Sequence, residues 1–199
     1  MMMEAYEKFE AVALPLEQAN VDTDQILPAR YLQKPRSAPF GEFLFRDLRF
    51  LKDGSENPQF VLNLDAYRGA RVIVAGSNFA CGSSREHAVW ALYDYGFRAA
   101  IAPSFGDIFF SNALKNGFLP IVLPAEVVAG LIRQAQDRPG ATLGIDLEAQ
   151  TVSAPDGGVH RFAVDPFARH CLLNGLDEID YTLSQIDHIT AFERALGAP

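Results

Sequence analysis

Arg71-Val72-Ile73-Val74-Ala75-Gly76-Ser77-Asn78-Phe79-Ala80-Cys81-Gly82-Ser83-Ser84-Arg85-Glu86-His87 reads as a short buried strand that runs through a polar turn into a helix. Residues 72–75 are apolar and largely β-branched, and Gly76 and Asn78 break the run. Ala88, Ala91, Leu92 and Tyr95 then recur at helical spacing, and Gly96 is placed to stop the helix. Going downstream, residues 99–102 predict a second buried strand and Pro103-Ser104-Phe105-Gly106 a turn into a helix through Lys115, stopped by Gly117. Residues 119–123 form another apolar run, followed by a helical pattern over 125–136. Strand, helix, strand, helix, strand at this spacing predicts an α/β fold with right-handed crossovers and a largely parallel central sheet. Its active face then lies beyond the C-terminal ends of the strands, where Ser83 and Ser104 fall.

The flanks add detail. Upstream, residues 9–14 read as a strand, followed by a polar turn at Asn20-Val21-Asp22-Thr23-Asp24-Gln25-Ile26-Leu27-Pro28. Residues 34–39 form a basic, proline-containing exposed loop, and the aromatic stretch Phe40, Phe43, Phe45, Phe50 reads as core or interface packing. Beyond Pro139, residues 142–147, 151–153 and 160–164 are strand-like around the turn Pro155-Asp156-Gly157-Gly158, which predicts a β-hairpin region. Asp165-Pro166 opens a last helix through Leu173, with Asn174-Gly175 as its stop. No repeat, low-complexity tract or linker divides the chain, so residues 1–199 are expected to form a single domain.

Composition narrows the function classes. The chain has 199 residues, 49% of them hydrophobic, enough for a sizeable core. A formal net charge of −8 argues against a nucleic-acid binder, which would present a basic face. No apolar run approaches the roughly 20 residues that cross a bilayer, and the N-terminus has no signal-peptide stretch, so a cytosolic protein is expected. Cys81 and Cys171 are the only thiols, too few for an iron–sulfur cluster or a cysteine-rich zinc site.

Residues 81–87 gather hydroxyls, a guanidinium, a carboxylate, an imidazole and a thiol. Ser83-Ser84-Arg85-Glu86 has the S-x-x-E form of a capping box, with Ser83 at the N-cap. The same helix N-terminus also stabilises carboxylates and developing oxyanions, and a guanidinium in its first turn opposes the helix dipole while suiting bidentate carboxylate binding. The phosphate-loop pattern fails for want of its lysine, and the nucleophile elbow fails because Glu86 replaces its last glycine. His87 reads as structural. Asp22, Thr23 and Asp24 read either as turn formers and caps or as the source of an aspartate that pairs with Arg85.

Residues 20–28, the string Asn78-Phe79-Ala80-Cys81-Gly82-Ser83-Ser84-Arg85-Glu86-His87-Ala88, Ile101-Ala102-Pro103-Ser104-Phe105 and the tail Arg169-His170-Cys171-Leu172-Leu173-Asn174-Gly175-Leu176-Asp177 together resemble one family. The chain is similar to the swivelling domain of the aconitase superfamily and, more narrowly, to the bacterial 3-isopropylmalate dehydratase small subunits. The resemblance runs from about Phe9 to Leu183; Ala80 departs from it where the family often has glycine.

That resemblance implies a β/β/α swivelling domain with a C-terminal hairpin and helix extension, and a large partner subunit carrying a [4Fe-4S] cluster. The implied reaction, in leucine biosynthesis, interconverts 2- and 3-isopropylmalate by dehydration and rehydration. By the motif, Ser83 maps onto the base, Ser84 and Arg85 onto substrate-binding positions, and Asp24 onto the acid that supports the arginines. Arg36 or Lys34 is the candidate for the second carboxylate of a hydroxy-dicarboxylate substrate, and Leu32 for its isopropyl group. This chain would bind no cofactor or metal itself. Other hydroxy acids, such as homocitrate or a methylated malate, and a non-catalytic dicarboxylate-binding module remain alternatives.

Overall fold

A computed structural model of the chain describes residues 3–82 and 85–196. Its frame is a sheet of strands β1 (Phe9–Leu16), β2 (Val72–Ala75), β3 (Ala99–Ala102), β4 (Leu119–Val122), β5 (Thr142–Asp146), β6 (Thr151–Ser153) and β7 (Val159–Arg161) in the order β4-β3-β2-β1-β5-β6-β7. The helices are α1 (Thr23–Ile26), α2 (Phe40–Phe43), α3 (Arg46–Arg49), α4 (Glu86–Tyr95), α5 (Asp107–Lys115), α6 (Ala125–Asp137), α7 (Pro166–Asn174), α8 (Glu178–Ser184) and α9 (Ile186–Ala195).

The long strand β1 joins two kinds of pairing. Its second half, Ala13–Leu16, runs parallel to β2, which is parallel to β3, as β3 is to β4. Its first half, Phe9–Val12, runs antiparallel to β5, from which the β5-β6-β7 meander continues. The parallel half, the crossover helices and the C-terminal hairpin thus match the sequence reading.

Strand periodicity explains why the parallel strands read as unbroken apolar runs: both faces are covered. Leu14, Leu16, Ile73, Ala75, Ala100 and Ala102 face a core built with α4, α5 and the aromatic segment. Ala13, Val72, Val74, Ala99 and Ile101 face a second core built with α6, the meander and α7. Phe40 and Phe45 are fully buried in the first core, so the aromatic segment is core packing. Its short helices α2 and α3 have too few residues to leave a periodic signal.

Two elements depart from the sequence reading. The helix opened by Asp165 is not the last one, because Asp177 caps α8 by accepting from the N–H groups of Ile179 and Asp180, and α9 follows. Neither α8 nor α9 buries a side chain, and Ile179, Leu183, Phe192 and Leu196 are exposed. These helices leave their apolar side chains on the surface, without the core contacts that secure the other long helices.

Helix α4 also starts later than the S-x-x-E spacing implies. Arg85, in extended conformation (φ −140°, ψ 103°), holds the N-cap, and Glu86 is the first helical residue. The capping box with Ser83 at the N-cap is thus overturned: Glu86 stands two positions early for it, and its carboxylate accepts from Asn116 Nδ2 at 2.8 Å. Arg85 correspondingly sits at the cap, not inside the first turn.

Gly76, at the exit of β2, has a steric reason to be glycine. A Cβ there would lie 2.6 Å from the Glu17 carbonyl oxygen and 2.7 Å from that of Gln18. Both obstacles are backbone, so neither can swing aside. Gly76→Ala is expected to lower unfolding free energy by about 3 kcal/mol, which moves the thermal midpoint down by roughly 6–12 °C. Gly69→Ala, where a Cβ meets nothing within 4 Å, is the control and should stay within about 0.5 kcal/mol of the parent. Equal midpoints for the two variants would refute the steric account.

Candidate active site

The loops that leave β1, β2 and β3 lie side by side at the C-terminal ends of the parallel strands, where a doubly covered sheet places its ligands. They are laced together by backbone pairing that continues the sheet. Asn20 N–H donates to Ser77 O at 2.9 Å, Cys81 N–H to Val21 O at 3.2 Å, and Thr23 N–H to Cys81 O at 2.9 Å. On the other side Phe79 N–H donates to Ser104 O and Gly106 N–H to Phe79 O, both at 3.0 Å. Side chains reinforce the lacing: Asn78 Nδ2 donates to Asn20 Oδ1 at 2.8 Å, and the Ser104 hydroxyl accepts from Asn78 N–H at 2.9 Å.

The middle strip has an unusual backbone, with positive φ at Asn78 (58°), Ala80 (57°) and Gly82 (92°). Asparagine and glycine tolerate this region, whereas alanine carries a Cβ penalty there. Ala80 keeps the conformation at the cost of strain. Gly106 packs against the strip so closely that a Cβ would lie 2.6 Å from the Ala80 carbonyl oxygen.

This lacing brings together the charged pair anticipated from the sequence. Asp22 caps α1 in a capping box with Gln25, which bears out the capping role for that aspartate. Asp24, in the first turn of α1, accepts from Arg85 Nη1. The Arg85 side chain is 17% exposed and that of Asp24 51%, so the arginine is largely covered while its partner faces the open side. Among the described residues Arg85 makes this contact through one nitrogen, which leaves the rest of its donor fork for a carboxylate. Ser83 and Ser84 lie outside the described residues.

The second group of candidates is placed differently. Leu32 is half-buried against the main core, and the ring of its chain neighbour Tyr31 stacks on Phe43 with centres 4.2 Å apart. Arg36 lies along α4, donating to both oxygens of Asp94 at 2.8 and 2.9 Å, with its guanidinium 5.1 Å from the Trp90 ring centre. Its fork is thereby occupied. Asp94 is the partner that sequence reading missed, since nothing in a helical aspartate signals an arginine in a distant loop. Lys34 is exposed and makes no ion pair among the described residues. His87 packs its ring against Phe40 and Trp90, with centres 5.6 and 4.5 Å apart, in keeping with a structural role.

The chain's own donors do not fit an iron–sulfur cluster. Cys81 lies in the laced loop and Cys171 is buried in α7, where burial pushes its thiol up and away from the thiolate a cluster needs. Among the described residues no three His, Cys, Asp or Glu side chains gather as metal ligands. Nor, among them, is any helix long and apolar enough to cross a membrane.

Comparison with known proteins agrees with this architecture. A family model described as the aconitase C-terminal domain matches residues 3–126, and one described as LeuD_N matches residues 129–166. The 3-isopropylmalate dehydratase small subunit of Rhodospirillum centenum is 54% identical over 191 residues, covering 96% of this chain and 94% of that protein. That of Paramagnetospirillum magneticum is 51% identical over 193 residues, covering 97% and 96%. A crystal structure of 3-isopropylmalate dehydratase from Methanocaldococcus jannaschii superposes with a TM-score of 0.66 at 26% identity, covering 94% of this chain and 99% of that one. The chain belongs to the aconitase C-terminal domain family and, within it, to the 3-isopropylmalate dehydratase small subunits.

Proposed function

We propose that this chain forms the substrate-gripping half of a 3-isopropylmalate dehydratase, a hydro-lyase of leucine biosynthesis that is complete only with a large subunit. The observation that carries this reading is the Arg85–Asp24 pair, set by interlaced loops at the C-terminal ends of the parallel strands. The whole chain acts as one swivelling domain in the cytosol.

The reaction removes a proton from carbon next to a carboxylate and expels hydroxide from the neighbouring carbon. Arg85 takes the substrate carboxylate with its free donors, while Asp24 fixes the guanidinium and spares it a choice of geometries. The same positive charge stabilises the electron density that builds on that carboxylate as the proton leaves. Ser83 is the base and Ser84 a further carboxylate contact, as the family motif has them. Lys34, or Arg36 once it releases Asp94, takes the second carboxylate, and Leu32 offers an apolar contact for the isopropyl group. A [4Fe-4S] cluster on the large subunit would supply the Lewis acid for the departing hydroxyl.

The test is reconstitution with the large subunit under anaerobic conditions with iron and sulfide. Hydration of isopropylmaleate is expected, with kcat/KM for isopropylmalate exceeding that for homocitrate and for a methylated malate by at least about tenfold. A preference for either of those acids would move the assignment to a related hydro-lyase. Tight dicarboxylate binding with no turnover would favour a binding module.

A further inference from the structure

Asn116, the C-cap of α5, is bonded across to the first half of α4. Its Nδ2 donates to Glu86 Oε1 at 2.8 Å and to the Asn112 carbonyl at 2.9 Å, and its Oδ1 accepts from Trp90 Nε1 at 3.0 Å. Both amide protons and the amide oxygen are thus in use. Only one orientation serves: turned over, the amide would set its oxygen against the Glu86 carboxylate and the Asn112 carbonyl, and its N–H groups against the Trp90 N–H. Glu86 and Trp90 are four residues apart, so they share one face of α4 and are held by a single side chain.

What this clamp does follows from where Glu86 stands. A carboxylate in the first turn favours the helix, because it answers the unpaired N–H groups and the positive end of the dipole. The same charge directly follows Arg85, whose fork keeps donors beyond its bond to Asp24. There it is a hazard. A carboxylate free to swing onto those donors would compete for them with the carboxylate of a substrate.

No other cation takes the Glu86 charge out of reach. Glu86, Trp90 and Asn116 line a cavity beside α4 together with Arg36 and Lys115. Arg36 is paired with Asp94 at 2.8 Å and Lys115 with Glu178 at 3.0 Å. Among the described residues the Glu86 carboxylate is bonded to Asn116 alone.

We propose that Asn116 is a positioning residue for the reaction: it holds the Glu86 carboxylate away from Arg85, so that the guanidinium fork stays open to the substrate carboxylate. The proposal rests on Arg85 as the carboxylate grip. A neutral amide suits the task because it fixes the charge of Glu86 in place and leaves its benefit to the helix intact. The second bond, from Trp90, keeps the amide turned the right way.

The chain reconstituted with the large subunit is assayed for KM and kcat with isopropylmalate. Asn116→Asp sets a second carboxylate against Glu86 and is expected to raise KM by about fivefold, the scale of an exposed ion pair gained by a competitor, with kcat falling less. Glu86→Gln in that background removes the competing charge and should return KM to within about twofold of the parent; alone it should change KM by less than about twofold. A merely structural clamp would leave the double variant as impaired as Asn116→Asp. Asn116→Ala, which frees Glu86 without adding charge, should show the same rise and the same rescue, and it decides the matter if Asn116→Asp does not fold. On the Arg85→Gln background Asn116→Asp should add nothing, because no fork remains to be blocked. A rise of less than about twofold in the Asn116 variants, failure of rescue by Glu86→Gln, or an equal rise on the Arg85→Gln background overturns the role of Asn116. A negligible effect of Arg85→Gln by itself would instead remove the grip on which that role rests, so the two failures are told apart.

Discussion

Arg85→Gln is expected to lower kcat/KM of the reconstituted enzyme by about two to three orders of magnitude while the chain stays folded and assembled. Removing one partner from a desolvated, hydrogen-bonded charge pair costs about 2–5 kcal/mol of binding, and each 1.36 kcal/mol is a factor of ten in rate. In the reconstituted enzyme the bound substrate carboxylate would be that partner. Fold should survive because the ion pair with Asp24 is half-open to solvent, and glutamine keeps most of the packing volume. Steady-state kinetics decide the matter through the split between parameters. If Arg85 holds the carboxylate equally in ground and transition states, KM rises alone; if it answers charge that builds during proton removal, kcat falls as well. The second pattern is expected. Asp24→Asn should reproduce it in weaker form, since it loosens the guanidinium without deleting it. A change of less than threefold in Arg85→Gln would remove the arginine from the reaction.

The larger effect is expected of Ser83→Ala, with kcat falling by about 10³–10⁴, the upper range for a positioned general base. A hydroxyl is a poor base at neutral pH, so Ser83 requires surroundings that favour its deprotonated form. Arg85, two residues on, and the N-terminus of α4, which begins at Glu86, are the positive groups next to it in the chain. Alanine removes the oxygen and little else, so KM and co-purification with the large subunit should be preserved. Retention of more than a tenth of kcat would transfer the base role to another group. Ser84→Ala is the informative companion: as a carboxylate contact it should raise KM more than it lowers kcat.

The parallel half of the fold was legible in the sequence because each strand there is a short apolar run closed by a turn residue, as at Ala75-Gly76 and Ala102-Pro103. Legibility failed where distant residues decide local structure. The start of α4 is an instance. S-x-x-E fits a capping box locally, yet Phe79 pairs with Phe105 and Cys81 with Asp22, and the helix begins only after an extended Arg85. The Asp24–Arg85 pair was legible because opposite charges fell in loops expected at one end of the sheet. The Arg36–Asp94 pair was not, because Asp94 resembles any solvated helical acid. Gly76 and Gly106 were visible as glycines, but the reason for them lies in backbone that passes from elsewhere. Tyr6 carries no mark in the sequence at all; its place in the second core is set only by the fold.

The lacing of residues 77–81 between two neighbouring loops has a consequence for how the molecule opens. Each of Asn78, Phe79 and Cys81 is bonded to a flanking segment, Phe79 through both its N–H and its carbonyl and Cys81 likewise. Local unfolding of this strip cannot proceed by peeling one edge, as in an ordinary surface loop; it must break pairing on both sides together. The strip is energetically an extra rung of the sheet, drawn from the protected end of the stability spectrum and not from its frayed end. The Asp24–Arg85 pair thereby borders a cooperative unit that opens with the core.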